Sequence, residues 1–113
     1  MALIKRYGGQ YILEITNGYI KEYGGRYLYS IDGNRIKRYG GQYLYEICGD
    51  KVKTYGGPYI LEFSGNNLKR YGGMYIASVY QDKIKDYGGV YTYEICGFIT
   101  HTELLALLTL LYG

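Results

Sequence analysis

The sequence is short of the residues that build disulfide scaffolds and most metal sites. It has no tryptophan, one proline, one histidine and two cysteines in 113 residues. Cys48 and Cys96 occupy equivalent places in distant segments, so we expect two free thiols and no disulfide framework. His101 has only Cys96 near it in the sequence, whereas a structural zinc site needs four ligands. We therefore predict no metal site and expect His101 to be exposed.

Long hydrophobic runs and a dominant sign of charge are also missing. The longest apolar stretch, residues 104–111, is far shorter than the roughly 20 residues that span a bilayer. The start of the chain has no apolar run before a cleavage site, so we expect no signal peptide and a cytoplasmic location. Thirteen Lys and Arg nearly balance ten Asp and Glu, and the resulting charge of +3 does not favour a nucleic-acid partner.

The chain does have an internal repeat built on tyrosine and glycine, each of which occurs 18 times. Each unit reads apolar-Lys-x-Tyr-Gly-Gly-x-Tyr, followed by an alternating segment and a polar turn. The tripeptide recurs every 16 residues, beginning at Tyr7, Tyr23, Tyr39, Tyr55, Tyr71 and Tyr87. Six units of such regularity predict one β-repeat domain over residues 1–113, with the repeats in residues 1–95.

Each unit is expected to form two strands, because Val, Ile and Tyr dominate and apolar residues alternate with polar ones. Gly-Gly predicts a two-residue hairpin turn in which both glycines have positive φ. Pairs such as Asn17-Gly18 predict the turn that joins one unit to the next. The twelve predicted strands span residues 3–7, 10–15, 19–23, 26–31, 35–39, 42–47, 51–55, 58–63, 67–71, 74–79, 83–87 and 90–95.

The alternation divides the side chains of the predicted sheet between a buried face and a wet face. Besides aliphatic residues, the buried face is expected to receive the first tyrosine of each longer strand, namely Tyr11, Tyr27, Tyr43, Tyr59, Tyr75 and Tyr91. The wet face is expected to receive the repeated lysines, the Tyr-Gly-Gly tyrosines and an apolar line formed by Ile12, Leu28, Leu44, Ile60 and Ile76. Such residues with lysine are ordinary on the surface of strands; the alternative is an adhesive exterior, because an apolar line lies among exposed tyrosines.

Residues 100–112 predict a C-terminal helix with a strong start signal. Thr100 and Glu103 form a capping box, and Ile99 and Leu104 form a hydrophobic staple. Between positions 104 and 111 only Thr109 is polar. A helix that is apolar on all sides has no face for water, so the rest of the chain must surround it.

A closed barrel is the arrangement in which twelve strands can pair on both sides and bury one apolar helix. An open sheet would leave two unpaired edges and more apolar surface than the helix can cover. The first and last strands are antiparallel, and we expect them to repeat the pairing found inside each unit. The predicted fold is mainly β, a twelve-stranded antiparallel meander barrel of six 16-residue repeats closed around the helix. The alternative is an open single-layer β-meander with the helix packed on one face.

This architecture resembles the tubby-like domain, in which twelve antiparallel strands surround a C-terminal apolar helix. The likeness concerns the number and order of elements over the whole chain, and it involves no shared motif. It implies binding of phosphoinositide head groups, and the related scramblase-like domains imply work at membranes. The Tyr-Gly-Gly and Asp-Gly hairpins also look like arrays in uncharacterised bacterial proteins, which implies a bacterial origin.

Two sets of side chains are candidates for binding. Outer lysines and tyrosines can contact a protein, a sugar or an anionic membrane surface, and the candidates are Lys21, Lys37, Lys53, Lys69, Tyr23, Tyr39, Tyr55 and Tyr71. At the Tyr-Gly-Gly end, Arg6, Arg38 and Arg70 predict a rim that pairs with the terminal carboxylate of Gly113. No nucleophile, acid–base pair or cofactor motif is evident, so we predict no catalytic residue and no cofactor.

These observations leave two classes of function open. The first is a non-catalytic structural or protein-interaction module, which docks to a partner protein or to a second copy of itself. The second is a binding module for anionic lipid head groups or carbohydrate, which uses the outer lysines and tyrosines. An enzyme ranks below both, because the sequence shows no catalytic constellation.

Overall fold

Each 16-residue unit folds into a short strand followed by a longer one. In the computed structural model, which describes all of residues 1–113, twelve strands precede a single helix. The strand bounds lie within two residues of the predicted ones. The elements are β1 (Ala2–Arg6), β2 (Tyr11–Thr16), β3 (Tyr19–Glu22), β4 (Tyr27–Asp32), β5 (Arg35–Arg38), β6 (Tyr43–Cys48), β7 (Lys51–Thr54), β8 (Tyr59–Ser64), β9 (Asn67–Arg70), β10 (Tyr75–Tyr80), β11 (Lys83–Asp86), β12 (Tyr91–Gly97) and α1 (His101–Tyr112).

The sheet closes on itself because its first and last strands pair. All strands follow chain order around the ring, and β1 pairs with both β2 and β12. The closed antiparallel meander barrel is thereby confirmed, and the open-sheet alternative is wrong. Lys5 lies opposite Glu94 across the closing pair, as Lys21 lies opposite Glu14 between the first two units. The closing pair therefore copies the pairing between units, and the expectation that it copies the pairing inside a unit is wrong.

The Tyr-Gly-Gly turn differs from the predicted two-glycine hairpin. In the first unit the Gly9 N–H donates to the Arg6 carbonyl at 2.8 Å, so Tyr7 and Gly8 are the central residues of the turn. Gly8 has a φ of +71°, as a type II turn requires, whereas the φ of Gly9 is not positive. A Cβ on Gly9 would lie 3.2 Å from the Cβ of Arg6. The second glycine therefore permits a close approach, and only the first supplies a left-handed conformation.

The helix and the inner wall form one hydrophobic core. Five consecutive helix residues, positions 105–109, are buried, and they cover more than one turn of 3.6 residues. The helix is therefore buried around its whole circumference and fills the bore of the barrel. The buried wall residues come from eleven of the twelve strands and are Ala2, Ile4, Ile15, Ile20, Ile36, Ile47, Val52, Leu61, Leu68, Ala77, Val79, Ile84 and Ile95.

The predicted start of the helix is confirmed by its hydrogen bonds. The Glu103 N–H donates to Thr100 Oγ1 at 3.1 Å, and the Thr100 N–H donates to Glu103 Oε1 at 2.9 Å. This reciprocal pair is the predicted capping box. Farther along, Thr109 Oγ1 donates to the Leu105 carbonyl at 2.7 Å, which satisfies the one buried hydroxyl of the helix.

The helix crosses the bore from the wall of the third and fourth units to the wall of the sixth. At its start, His101 Nε2 lies 3.0 Å from Asp50 Oδ1, and its ring lies 6.2 Å from the ring of Phe63. At its end, the Tyr112 hydroxyl lies 3.0 Å from Thr92 Oγ1. The helix thus brings Tyr112 to the Tyr-Gly-Gly end, as predicted. The protein has no helix with the length and apolar character needed to cross a bilayer.

We predict that Leu107→Ala lowers the free energy of unfolding by about 2–5 kcal/mol, because Leu107 is fully buried and its loss leaves a cavity in the core. Urea denaturation measures the change. Leu110→Ala is the matched control, since Leu110 is only half-buried on the same helix. Equal losses from the two variants would contradict a helix that is enclosed by the wall at Leu107.

The turn between β10 and β11 contains one of the two non-glycine residues with positive φ, the other being Asn17 in the equivalent turn of the first unit. Gln81 has a φ of +58°, while the equivalent residues of three other units are Gly33, Gly49 and Gly65, with φ from +63° to +65°. Residues with a Cβ rarely adopt this conformation, whereas glycine adopts it readily. The fifth unit therefore contains a conformational cost that its neighbours avoid.

Gln81→Gly is predicted to raise the free energy of unfolding by about 0.5–1 kcal/mol, because relief of the strained φ exceeds the added chain entropy of glycine. Thermal and urea unfolding measure it. The reverse change in the second unit, Gly33→Gln, is the control and is expected to lower stability by a similar amount. A destabilising Gln81→Gly would show that the Gln81 side chain contributes more than its backbone costs.

Candidate functional site

A β-bulge in every unit turns the first tyrosine of the longer strand outward. In the second unit Ile20 pairs with Tyr29, but the next residue, Lys21, pairs with Tyr27, so Leu28 is the extra residue. The same shift recurs in all six units. A bulge of this kind changes the face on which the residues beyond it lie. Tyr27 therefore shares the outer face with Lys21.

This bulge overturns two parts of the predicted face assignment. The strand tyrosines expected inside are outside, and five of the six are exposed, the sixth being half-buried: Tyr11, Tyr27, Tyr43, Tyr59, Tyr75 and Tyr91. The apolar line expected outside is half-buried at every position, and Ile12, Ile60 and Ile76 pack against the core. The exterior is therefore dominated by tyrosine and lysine, and the apolar residues of the bulge widen the core.

The outward tyrosines form six clusters, which we call the Lys–Tyr–Tyr clusters. In each, a strand tyrosine packs against a Tyr-Gly-Gly tyrosine, with ring centroids 4.9–5.2 Å apart. A lysine ammonium lies over the strand tyrosine at 5.6–5.8 Å. The clusters are Lys5–Tyr11–Tyr23, Lys21–Tyr27–Tyr39, Lys37–Tyr43–Tyr55, Lys53–Tyr59–Tyr71, Lys69–Tyr75–Tyr87 and Lys85–Tyr91–Tyr7.

The clusters hold their aromatic rings in fixed positions on the outer wall. A ring pair of this geometry contributes about 0.5–1.5 kcal/mol, and an exposed cation–π contact about 0.5–1 kcal/mol. In the second cluster the Tyr19 ring adds edge contacts to both partners, Tyr27 and Tyr39. The last cluster joins Tyr91 to Tyr7 and so spans the closing strand pair. Stacked rings that remain about half exposed form a preorganised contact surface.

The predicted surface residues are thus brought together, although through partners that the sequence analysis had placed inside. Lys21, Lys37, Lys53 and Lys69 each lie over a strand tyrosine, and that tyrosine packs on the Tyr-Gly-Gly tyrosine of the next unit. The strand tyrosines Tyr27, Tyr43, Tyr59 and Tyr75 were therefore missed as surface residues. One signal in the sequence could have revealed them. The residue that follows each strand tyrosine is apolar in five of six units, yet the predicted face assignment exposed it to water.

The repeated lysines differ in what faces them across the neighbouring strand. Four lie opposite a glutamate, as in the pairs Lys5–Glu94, Lys21–Glu14, Lys53–Glu46 and Lys69–Glu62. The closest of these ion pairs, Lys21 to Glu14, measures 3.7 Å. Lys37 and Lys85 instead lie opposite Ser30 and Ser78. These two lysines therefore lack the carboxylate that the other four face.

Each serine leaves a groove on the outer wall beside its lysine. The Ser78 groove has a volume of about 450 Å³ and is lined by Asn66, Asn67, Ser78, Val79, Tyr80, Lys85 and Tyr91. The Ser30 groove has a volume of about 260 Å³ and is lined by Asn17, Gly18, Tyr19, Ser30, Ile31, Asp32 and Lys37. Equivalent residues of the two grooves lie three units apart, so the grooves are on opposite sides of the ring.

The two grooves differ in charge. The Ser30 groove contains the Asp32 carboxylate, which accepts a hydrogen bond of 3.0 Å from the Tyr43 hydroxyl. This hydrogen bond, together with the negative charge of Asp32, raises the pKa of Tyr43. Tyr80 takes the place of Asp32 in the Ser78 groove, whose lining contains Lys85 and no carboxylate. The Ser78 groove is therefore cationic and the Ser30 groove is balanced.

The predicted arginine rim forms no ion pair with the end of the chain. Gly113 is exposed, and no salt bridge joins its carboxylate to Arg6, Arg38 or Arg70. Arg6 instead lies over the ring of Tyr93 at 5.9 Å, and Arg38 over that of Tyr29 at 6.0 Å. Two of the rim arginines are thus held against inner-wall tyrosines.

The remaining candidates for chemistry lie apart from one another. His101 is exposed, as predicted, and contacts Asp50. Cys48 and Cys96 are both free thiols. No three side chains of His, Cys, Asp or Glu converge on a common point where they could hold a metal ion.

Comparisons with known proteins gave no match to a family model, to a curated protein or to a solved structure. The fold is therefore described by its own geometry, as a closed twelve-stranded antiparallel barrel with one helix. The chemistry of the outer wall is the basis on which a function can be proposed.

Tyr112 lies at the Tyr-Gly-Gly end of the bore, and we predict that it lowers the stability of the protein as the pH becomes alkaline. Burial raises the pKa of Tyr112, with a further contribution from Asp86, although the hydrogen bond with Thr92 acts in the opposite direction. The unfolded chain releases this proton at lower pH than the folded chain, so the contribution is present below pH ~10 and is lost as pH rises through the folded pKa. We expect Tyr112→Phe to reduce the alkaline loss of stability.

Urea denaturation of Tyr112→Phe across neutral and alkaline pH measures this effect. At neutral pH the variant should lose about 0.5–1.5 kcal/mol with the hydrogen bond to Thr92. Thr92→Val is the matched control, because it removes the same hydrogen bond but no titrating group. Since that hydrogen bond lowers the pKa of Tyr112, the alkaline loss of Thr92→Val should be at least as large as that of the unchanged protein. If Tyr112→Phe and Thr92→Val respond alike at alkaline pH, the assignment to Tyr112 is wrong.

Proposed function

We propose that the protein is a non-catalytic interaction module whose outer wall docks against a second copy of the chain. The observation that supports this proposal is the ring of six Lys–Tyr–Tyr clusters on the outer wall. Tyrosine is enriched at protein interfaces, where a rigid amphipathic ring contributes contact area at small entropic cost. The stacked pairs are ordered before binding, which reduces the cost of association further.

The charge pattern of the wall favours a second copy as the partner. Basic residues and glutamates lie beside each other on the same face, as in Lys21 beside Glu14 and Arg35 beside Glu46. A surface that contains both signs is complementary to itself, and the net charge of +3 opposes contact between copies only weakly. Self-association through neighbouring clusters therefore requires no partner of different chemistry.

Sedimentation velocity over a wide range of protein concentration tests this proposal. The unchanged protein should associate as its concentration rises. The double variant Tyr39→Gln, Tyr55→Gln removes one ring from each of two adjacent clusters, and it should weaken association about tenfold or more, as the loss of two aromatic anchors at an interface does.

The matched control is Met74→Gln, Val90→Gln, which removes two apolar residues beside the same kind of turn. Met74 and Val90 are 80% and 72% exposed and belong to no cluster. Association should persist in this variant if the tyrosine clusters form the interface. A monomer at every concentration, or equal weakening by both double variants, would contradict the proposal. Thermal unfolding of each variant separates lost association from lost folding.

A second candidate is a binding module for anionic lipid head groups or carbohydrate. Its support is the tubby-like order of elements, which implies phosphoinositide binding, and the lysines and aromatic rings of the outer wall. Four of the six lysines face glutamates, which reduces the net positive charge that the wall offers to a membrane. Sedimentation with phosphoinositide vesicles distinguishes this candidate from self-association. A bacterial origin and a cytoplasmic location stay predictions.

A further inference from the structure

The Ser78 groove contains a cation that the repeat pattern would otherwise neutralise. Position 78 is a serine where four other units have glutamate, and the opposite residue, Lys85, forms no salt bridge. The Lys85 ammonium lies over the Tyr91 ring at 5.8 Å, which fixes its position at the groove. Neighbouring carboxylates along the chain do not compensate: Asp86 follows Lys85 on β11 and so lies on the opposite face of the strand, and Asp82 pairs with Lys83 at 3.2 Å.

The polar groups beside Lys85 are oriented for hydrogen bonds with a ligand. Ser78 Oγ donates to Asn67 Oδ1 at 2.7 Å, which orients the side-chain amide of Asn67. The Asn67 amide nitrogen has no partner within the protein, and the Ser78 oxygen keeps lone pairs that can accept a hydrogen bond. The groove thus provides one cation, amide donors and a hydroxyl acceptor within one short stretch of wall.

Two aromatic rings complete the groove. Tyr80 is 58% exposed and Tyr91 is 38% exposed, and both line it. Each tyrosine has an apolar face and a polar tip, a combination suited to a ring that is apolar on its face and polar at its edge. A sugar ring has that character, since its C–H groups form flat patches and its hydroxyls lie around the edge. The volume of about 450 Å³ lies within the ~300–1,000 Å³ range of small-ligand sites.

We propose that the Ser78 groove binds a monosaccharide that bears one anionic group, with the anion on Lys85, the hydroxyls on Asn67 and Ser78, and the ring against Tyr80. This proposal deepens the ligand-binding candidate. Its groove shares Lys85 and Tyr91 with the sixth Lys–Tyr–Tyr cluster, so self-association is measured separately in the tests below. The Ser30 groove is excluded as an equivalent site by two differences. Its volume of about 260 Å³ is below the usual range, and the Asp32 carboxylate would repel an anion.

Isothermal titration at low salt with three probes tests the proposal. The probes are glucuronic acid, neutral glucose and inorganic phosphate. Glucuronic acid should bind with a single site and weaken as salt is added, because its carboxylate pairs with an exposed lysine. Glucose and phosphate should each bind about tenfold or more weakly, since each lacks one part of the recognised group. Equal binding of glucose and glucuronic acid, or binding of phosphate alone, would overturn the proposal.

The repeat supplies its own matched variants. Ser78→Glu gives the groove the residue that positions 14, 46, 62 and 94 already have, so the barrel should fold, and its carboxylate should pair with Lys85 and weaken glucuronic acid binding about tenfold or more. Ser30→Glu makes the same change in the opposite groove and should leave binding unchanged. Unaltered binding in Ser78→Glu, or equal losses in both variants, would contradict the proposal.

Tyr80→Asp gives a second test, because it reproduces the Asp32 of the balanced groove at an exposed position of the wall. It should abolish measurable glucuronic acid binding, by removing the ring and adding a negative charge. Retained binding would contradict the placement of the sugar against Tyr80. Sedimentation velocity without sugar measures self-association separately. A protein that fails to bind sugar can therefore be distinguished from one that fails to self-associate.

Discussion

The fold depends on contact between the helix and the inner wall. No strand contributes more than two buried residues, so no single unit contains enough apolar surface to form a core of its own. The closed ring gathers these residues around a common axis, but a ring alone would surround an empty bore. The helix supplies apolar side chains in every direction, and it therefore converts a set of weak hairpins into one packed domain. Burial of each Leu or Ile contributes about 1.5–3 kcal/mol to this arrangement.

The bulge decides what the outside of the protein can do. Without it, the strand tyrosines would point into the bore, and the apolar residues beside them would face water. With it, the extra apolar residue enlarges the inner wall, and the tyrosine meets the lysine opposite and the tyrosine of the next turn. One added residue per unit therefore explains both the filled core and the aromatic exterior. The Tyr-Gly-Gly turn contributes to the same arrangement, because it places its own tyrosine in contact with the ring of the strand tyrosine.

The sequence sufficed to predict the strands, the closure of the sheet and the central helix, since period, strand count and an all-apolar segment each have few structural solutions. It did not suffice for the face of Tyr27 or Leu28, because a bulge is set by the backbone of a paired strand that alternation alone does not describe. The grooves were also missed. Ser30 and Ser78 stand out only once Lys37 and Lys85 are known to lie opposite them, and that requires the register between units.

A helix with 3.6 residues per turn cannot present the same surface to six identical units. The wall accommodates this mismatch at the inner position that follows each bulge, which is Leu13, Tyr29, Tyr45, Leu61, Ala77 and Tyr93 around the ring. Size varies there from alanine to tyrosine, while the outward lysine and tyrosines stay the same in all six units. Symmetry is therefore broken at this inner position and preserved at the outward lysine and tyrosine positions, so each hairpin meets the helix with its own inner side chain.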